Sequence, residues 1–192
     1  MNGLLRPALS LLALMTVVTG LLYPMLINGL ANMAFPGSAG GAMIERDGKP
    51  VGSALIGQNF SSPGYFWGRP SATAPQPNNA MASGGSNLGP SNPALIDAVK
   101  ARIEALKGAD PEIKSPIPAD LVLSSASGLD PDISVDAALF QVRRIASARN
   151  IPEEKVTALV QSLKLGRQWG LFGEPRVNVL ALNLALDELN GK

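Results

Sequence analysis

The longest apolar stretch of the chain lies near its amino terminus, where the 23 residues from Ala8 to Leu30 carry no charged side chain. At about 1.5 Å of rise per residue, a helix of this length spans roughly 34 Å, enough to cross the ~30 Å hydrocarbon core of a membrane. Pro24 is expected to kink it, because proline removes one backbone hydrogen bond. The pattern therefore predicts a transmembrane helix over residues 8–30. Its polar side chains are Ser10, Thr16, Thr19, Tyr23 and Asn28.

A cleaved signal peptide is the alternative interpretation of this stretch, because Arg6 stands just before it. The apolar region of a signal peptide is shorter, at roughly 7–15 residues, and a small-x-small cleavage site follows it closely. The stretch here is longer, and the residues after Leu30 form a poor cleavage site. We therefore expect a retained anchor.

The orientation of the anchor follows from its flanking basic residues. Cytoplasmic flanks are enriched in Lys and Arg, and here Arg6 precedes the helix whereas no basic residue follows it until Arg46. We therefore expect residues 1–7 in the cytoplasm and the helix 8–30 in the inner membrane. Residues 31–192 are expected to form one external domain, in the periplasm or its equivalent.

After the anchor, the chain is rich in glycine and proline, which disfavours long helices. Two short apolar segments flank Asp47-Gly48, a dipeptide typical of tight turns, and predict a β-hairpin over about 42–57. Residues 58–92 follow as a long loop. We expect this loop to be ordered, because the aromatic side chains at 65–67 supply enough apolar area to anchor it.

Beyond the loop, apolar residues recur at the three- and four-residue spacing of amphipathic helices. The predicted helices run from Asn92-Pro93 to about Gly108, from Ser134 through Ala146, from Pro152 through Leu163, and from about Asn178 to Leu189. Asn92 and Ser134 are expected to cap the first two of them, because their side chains can accept backbone N–H groups of the first turn. The apolar triplet 121–123 is a candidate third strand. Together these elements predict an α+β fold. It comprises a single N-terminal transmembrane helix and an external domain with a small sheet or hairpin, a long ordered loop and about four helices.

Composition excludes several kinds of catalytic site. The chain has no histidine and no cysteine, so it lacks Ser-His-Asp triads, Cys-His dyads, thiol redox chemistry and zinc sites built on imidazole or thiolate. Its net charge of +1 argues against nucleic-acid binding, which requires clustered Lys and Arg. We therefore expect no catalytic residues, no metal ligands and no intrinsic cofactor.

Three polar clusters remain as candidates for chemistry, and each has a simpler structural interpretation. The glycine-rich turn 83–87 lacks the Lys-Ser or Lys-Thr ending of a phosphate-binding loop, so a structural or interface turn is favoured. The segment 130–132 offers two carboxylates without a third at ligand spacing, so we predict a turn leading into the following helix. Arg143, Arg144 and Arg149 on one helix are a candidate anion site, yet a solvated helix face is the more common arrangement.

Short sequence blocks run in order through nearly the whole chain. They are RPA at 6–8, GSALIGQNF at 52–60, GRPSA at 68–72, ASGGSN at 82–87, SNP at 91–93, SASGLD at 125–130, ASAR at 146–149 and VNVLALN at 177–183. No single block is specific, but together they resemble the C-subunit family of the bacterial Kdp potassium-transporting ATPase, KdpC.

The resemblance implies a role inside a transport complex in the membrane. Family members assemble with a channel-like potassium-binding subunit (KdpA), a P-type ATPase subunit (KdpB) and a small membrane peptide (KdpF). This chain lacks the Asp-Lys-Thr-Gly-Thr phosphorylation motif of P-type ATPases, so ATP hydrolysis is expected on the partner and ATP only through the complex. The expected function is that of a non-catalytic accessory subunit that stabilises the complex.

The resemblance also implies an alternative function, a catalytic chaperone that raises the ATP affinity of the ATPase subunit by direct nucleotide contact. The residues that match this proposal are Ser127, Gly128 and Gln141. The expected orientation places them across the membrane from cellular ATP, so we favour an external domain that caps the channel-like subunit near the potassium entrance. The residues expected at the partner interface are Thr16, Thr19, Asn28, Tyr65, Phe66, Trp67, Arg69, Ser83, Gly84, Gly85, Ser86 and Asn87.

Overall fold

The amino-terminal apolar stretch is helical from Asn2 to Ala34 in the computed structural model, which describes residues 2–189. The elements are α1 (Asn2–Val17), a π-helical segment (Val18–Leu22), α2 (Tyr23–Ala34) and the short α3 (Pro36–Ala39). The helix thus extends the predicted span 8–30 at both ends. The predicted domain limits at residue 1 and at residues 190–192 lie outside the described residues.

Among the described residues, Gly3–Ala34 is the one helix long and apolar enough to cross a membrane, with a mean hydropathy of 2.0. Its most apolar part is not buried anywhere inside the chain. Leaving so much apolar surface in water is unfavourable, so its cover must come from lipid or from other helices.

The π-helical segment lies immediately before Pro24. In a regular helix, a proline lacks the N–H donor and its ring clashes with the carbonyl four residues earlier. Here the N–H of Tyr23 bonds to the carbonyl of Val18, five residues back, which makes a wider turn. The chain therefore meets the proline with a local widening and continues as α2.

The chain divides into two units, Met1–Ile44 and Glu45–Lys192. A two-stranded sheet is formed by β1 (Met43–Arg46) and β2 (Lys49–Ser53). Asp47 and Gly48 join the strands with φ values of 53° and 71°, as a two-residue hairpin turn of type I′ requires. The predicted turn is confirmed, although the strands are shorter than the range 42–57.

The rest of the second unit is mainly helical. Its elements are α4 (Pro93–Ala109), β3 (Asp132–Ser134), α5 (Val135–Phe140), α6 (Val142–Arg149), α7 (Glu153–Ser162), β4 (Arg176–Asn178) and α8 (Val179–Leu189). The long loop before α4 contains a single 3-10 turn at Ala80–Ala82. The predicted α+β class, with its apolar helix, hairpin, loop and several helices, is confirmed.

At three helix starts the side chain of the capping residue accepts a backbone hydrogen bond from the first turn, which confirms the predicted caps Asn92 and Ser134 and adds Asn178. The capping residues are Asn92, Ser134 and Asn178, each 3.0 Å from the nitrogen that donates to it. The second predicted helix is divided at Gln141, so that α5 and α6 replace it.

The structure contains a second antiparallel sheet, formed by β3 and β4, that the sequence did not predict. It pairs Asp132 with Asn178, Ile133 with Val177 and Ser134 with Arg176. The turn predicted at 130–132 is present, since Asp130 Oδ1 accepts the N–H of Asp132 at 3.1 Å, but Asp132 also begins β3. Strands of three residues are too short for a period of two to be visible in the sequence.

The prediction of a strand at 121–123 is wrong. Residues Ala119–Leu121 form a 3-10 turn after Pro118. The side chains of Leu121 and Val122 are buried, so their apolar character reflects a place in the core and not strand pairing.

The core of the second unit lies where α5 to α8 cover the β3–β4 sheet. Helix α7 contacts α5, α6 and α8, and the central strand residues Ile133 and Val177 are buried beneath them. One aromatic residue of the loop, Phe66, is also fully buried in this core. The other buried apolar residues of the cluster are Leu106, Leu121, Val122, Ala137, Ala138, Val142, Ile145, Ala146, Val156, Val160, Val179, Leu182 and Leu186.

Replacing the cap of α5 tests this arrangement. Ser134 Oγ accepts the N–H of Ala137 at 3.0 Å, while Asp120 accepts the N–H of Ser134 at 2.7 Å. We expect Ser134→Ala to lower the free energy of unfolding by about 1 kcal/mol, because it removes the cap. The measurement is denaturant unfolding of the purified full chain in detergent. Ser162→Ala is the control, since that exposed hydroxyl bonds only within its own turn; equal stability losses in both variants would contradict the capping role.

Candidate functional site

The loop segment Pro63–Trp67 is held by side chains of the helical region and not by a neighbouring strand. Asn183 Oδ1 accepts the N–H of Phe66 at 2.8 Å, and Asn183 Nδ2 donates to the carbonyl of Phe66 at 3.0 Å. Gln141 does the same for Trp67, with distances of 2.8 Å to its N–H and 3.1 Å to its carbonyl. We call Gln141 and Asn183 the amide clamp. It satisfies both backbone groups of two consecutive residues, as a sheet neighbour would.

Two arginines of α6 complete the attachment of this segment. Arg144 donates to the carbonyls of Pro63 and Tyr65, and Arg149 donates to the carbonyl of Gly64 at 2.6 Å. The prediction of a solvated arginine face is therefore wrong for both residues. Their charged groups bind a backbone segment about 80 residues earlier in the sequence, so the local sequence pattern could not predict these contacts.

The same arginines pack against the aromatic rings of the loop. The guanidinium carbon of Arg144 lies 4.3 Å from the ring centroid of Trp67, and that of Arg149 lies 4.5 Å from the centroid of Tyr65. Both distances are in the range of cation–π interactions, which are stronger where the cation is desolvated. The aromatic segment is therefore fixed by its backbone and by its rings.

Arg144 is a buried cation, with only 4% of its surface exposed. Desolvation lowers the pKa of Arg144 to about 10, against an opposing effect of Asp110, so the guanidinium is still charged at neutral pH. Its charge is met by neutral acceptors, among them Gln141 Oε1 at 2.6 Å.

Arg149 and Arg143 pair with carboxylates. Arg149 binds Asp187 of α8 at 2.8 Å, and the same carboxylate accepts the hydroxyl of Tyr65 at 3.2 Å. Arg143 binds Asp110, and this hydrogen bond is the main cause that raises the pKa of Arg143. The three arginines predicted as one cluster therefore serve different contacts.

Gln141, which the alternative implied by the family resemblance assigns to nucleotide contact, is buried and its amide is fully engaged. Its oxygen accepts from Trp67 and Arg144, and its nitrogen donates to the carbonyls of Trp67 and Ala137. A primary amide has two acceptor and two donor positions, so all four are used. Nucleotide contact at Gln141 stays a prediction, and it would require one of these bonds to break.

Ser127 and Gly128 contact the glycine-rich turn instead of Gln141. The carbonyl of Ser127 accepts from the N–H of Gly84 at 2.8 Å and from Ser83 Oγ at 3.0 Å. Gly128 has φ of 67°, and a side-chain carbon added there would lie 2.7 Å from the carbonyl of Gly84. Two segments predicted to serve different functions therefore support each other. A carbon added at Gly85 would lie 2.9 Å from the carbonyl of Ala126, whereas Ser86 and Asn87 are exposed.

The remaining predicted interface residues are partly engaged within the chain. Arg69 forms an ion pair of 2.9 Å with Asp130. In the anchor, Thr19 Oγ1 donates to the carbonyl of Met15 at 2.6 Å, and Asn28 Oδ1 accepts from the side chain of Asn32 at 2.8 Å. The side chain of Thr16 is exposed. Among residues 2–189, no three His, Cys, Asp or Glu side chains come close enough to hold a metal ion.

An exposed apolar surface that the sequence predictions omit lies between α7 and β4. Residues 165–176 fold back on themselves through bridges between Leu165 and Arg176 and between Gln168 and Phe172. At the tip, Trp169, Leu171 and Phe172 are 84%, 69% and 56% exposed. We call these three residues the hairpin tip. The sequence does contain a sign of this surface, because an apolar WGLFG run lies between two residues of opposite charge, Arg167 and Glu174.

The hairpin tip is ordered despite its exposure. The rings of Trp169 and Phe172 meet edge to face, with centroids 6.0 Å apart. Arg167 and Glu174 form an ion pair of 2.7 Å beneath them. The second unit thus buries Phe66 of the aromatic segment and exposes three large apolar side chains at the hairpin tip, and exposed apolar patches often mark contact surfaces.

Comparisons with known proteins agree with the sequence blocks described above. The profile of the family described as "KdpC: K+-transporting ATPase, c chain" matches residues 5–188. The chain is 63% identical over 190 residues to the "Potassium-transporting ATPase KdpC subunit" of Dechloromonas aromatica (strain RCB), covering 99% of this chain and 100% of that protein. It is 61% identical over 187 residues to the protein of the same name from Variovorax paradoxus (strain S110), covering 97% of each.

The similarity extends over both units of the chain, and the one candidate span among the described residues fits a single-pass membrane subunit. The resemblance inferred from the sequence blocks is thus confirmed. The chain belongs to the KdpC family, the c chains of the K+-transporting ATPase.

Proposed function

We propose that the chain is a non-catalytic accessory subunit of an ATP-driven potassium-uptake complex and that it docks on its partners through the hairpin tip. The observation that carries this proposal is the exposure of Trp169, Leu171 and Phe172, at 84%, 69% and 56%. Large aromatic and apolar side chains supply much of the binding energy in protein interfaces, so three of them on an ordered turn are well suited to bind a partner surface.

The burial of Phe66 within the aromatic segment at 65–67 supports this choice of surface. Phe66 is fully buried, and the backbone of Phe66 and Trp67 is bound by the amide clamp. Docking through Phe66 would first require its removal from the core. The role of this segment in the proposal is to stiffen the domain that presents the tip.

The partners in this proposal are those of the Kdp complex. The anchor lies in the inner membrane against helices of the channel-like subunit KdpA, with the ATPase subunit KdpB and the small peptide KdpF in the same assembly. The external domain caps KdpA on the periplasmic side, near the potassium entrance. Thr16, Thr19 and Asn28 are the anchor side chains proposed to bond to neighbouring helices, at about 0.6–2 kcal/mol each.

ATP is bound and hydrolysed by the partner in this proposal. Direct nucleotide contact through Gln141 is the less favoured alternative, because its amide already makes four hydrogen bonds inside the chain. The orientation expected from Arg6 also separates the domain from cytoplasmic ATP.

Charged substitutions at the hairpin tip test the docking surface. We expect the double variant Trp169→Glu and Leu171→Glu to reduce co-purification of the tagged complex by about tenfold or more, because two carboxylates would be buried against an apolar partner. The matched control is Met81→Glu, since Met81 is an apolar residue that is 97% exposed on the long loop. The proposal would be contradicted if the tip variant assembled as well as the control while both chains showed unchanged thermal unfolding.

Removal of the anchor tests the second contact. We expect deletion of residues 1–34 to abolish assembly, because the external domain then loses its membrane tether and its helix contacts. A chimera that replaces residues 8–30 with an unrelated apolar helix separates the two roles. Full assembly of the chimera would show that the helix only tethers, and full assembly of the deletion would refute the anchoring role.

The orientation is testable with single cysteines, since the chain has no native thiol. We expect Ser61→Cys and Ser162→Cys, both at exposed positions, to react with a membrane-impermeant thiol reagent in cells whose outer membrane has been permeabilised. Reaction after detergent solubilisation serves as the control for thiol reactivity. Labelling that appears only after the inner membrane is opened would reverse the orientation.

A further inference from the structure

A cleft of about 520 Å³ lies beside the aromatic segment and is not part of the proposed docking surface. One side is formed by the loop, with Arg69 and Trp67, and the other by α4, with Arg102. Phe60 and Trp67 contribute aromatic walls, and Gln58 contributes an amide. The cleft therefore combines two cations with apolar surface.

The charge of this cleft is not balanced by its own lining. No Asp or Glu is among its lining residues. Arg69 pairs with Asp130, which lies outside the lining, but Arg102 donates to neutral acceptors, the carbonyl of Val122 at 2.6 Å and Ser124 Oγ at 3.2 Å. Among the described residues, no carboxylate pairs with Arg102. Partial burial lowers the pKa of Arg102, which an anion nearby would counteract.

Arg69, which lines the cleft, has one side-chain donor without a partner. Its Nε is buried and has no hydrogen-bond partner among the described residues. Buried donors are nearly always paired in folded proteins, and an unpaired one requires an explanation such as a bound ion or water. A guanidinium offers five donors in a planar fork that matches the oxygens of carboxylate and phosphate groups.

We propose that this cleft binds a small organic oxyanion, a carboxylate or phosphate group carried on an apolar or aromatic body. The oxyanion is held by Arg69 and Arg102, and the body lies against Phe60 and Trp67. The wall is preorganised, because Gln141 fixes the backbone of Trp67 and Arg144 packs on its ring. This site is separate from the hairpin tip and does not depend on the proposed docking.

The test uses the full chain in lipid nanodiscs with phenyl phosphate as the probe. In the variant Trp169→Phe, Trp67 is the only tryptophan, so its emission reports the cleft directly. We expect phenyl phosphate to change this emission with saturation, inorganic phosphate to compete with it, and neutral benzyl alcohol to bind at least about tenfold more weakly. Benzoate distinguishes the carboxylate from the phosphate form of the ligand.

Two pairs of variants locate the site. Ala105 is an exposed residue of α4 that lines the cleft, so Ala105→Glu adds a carboxylate without removing an arginine, and Ala105→Gln is its neutral match. We expect phenyl phosphate to bind Ala105→Glu at least about tenfold more weakly than Ala105→Gln. In the second pair, Arg102→Gln weakens binding, whereas Lys100→Gln, which removes a charge from an exposed position of the same helix, does not.

The outcomes are decisive in both directions. Saturable binding that is lost in Ala105→Glu and kept in Ala105→Gln supports the site. Absence of binding to the Trp169→Phe chain, or equal binding by the two Ala105 variants, overturns it. Because the Ala105 pair retains both arginines, loss of folding in Arg102→Gln does not affect the decision.

Discussion

The packing of the second unit depends on how the backbone hydrogen-bonding groups of Pro63–Trp67 find partners. A loop that enters a core brings polar N–H and C=O groups with it, and leaving them unpaired is strongly unfavourable. Here side chains replace the missing strand, with Gln141 and Asn183 each binding both backbone groups of one residue. The result is that Phe66 can be fully buried although its own segment is neither helix nor strand.

This constraint accounts for several features of the helices. Gln141 lies at the junction of α5 and α6, where its side chain reaches the loop. Arg144 and Arg149 project from α6 toward the carbonyls of residues 63–65. Asp187 on α8 then balances Arg149 and binds the hydroxyl of Tyr65. The contacts that stabilise the domain therefore also fix the aromatic segment, and Phe66 within it is not available as a surface.

Sequence reasoning succeeded where the signal is local. The turn at Asp47-Gly48 and the caps at Asn92 and Ser134 depend on residues next to each other, and the structure confirms them. It failed where the contact is distant in sequence, because the burial of Arg144 requires carbonyls supplied about 80 residues away. The apolar triplet 121–123 suggested a strand because periodicity cannot distinguish a short buried turn from a short buried strand. The family resemblance, by contrast, rested on blocks spread over the whole chain and was confirmed.

Two aromatic surfaces are in opposite states: the backbone of the segment at 65–67 is held by hydrogen bonds within the chain, and the hairpin tip at 169–172 is exposed. Hydrogen–deuterium exchange on the chain alone and in the assembled complex compares both directly. The account predicts that amides of residues 165–176 exchange more slowly after assembly, while those of Phe66 and Trp67 are equally protected in both states. Protection gained at Phe66 and Trp67, with no change at 165–176, would contradict it.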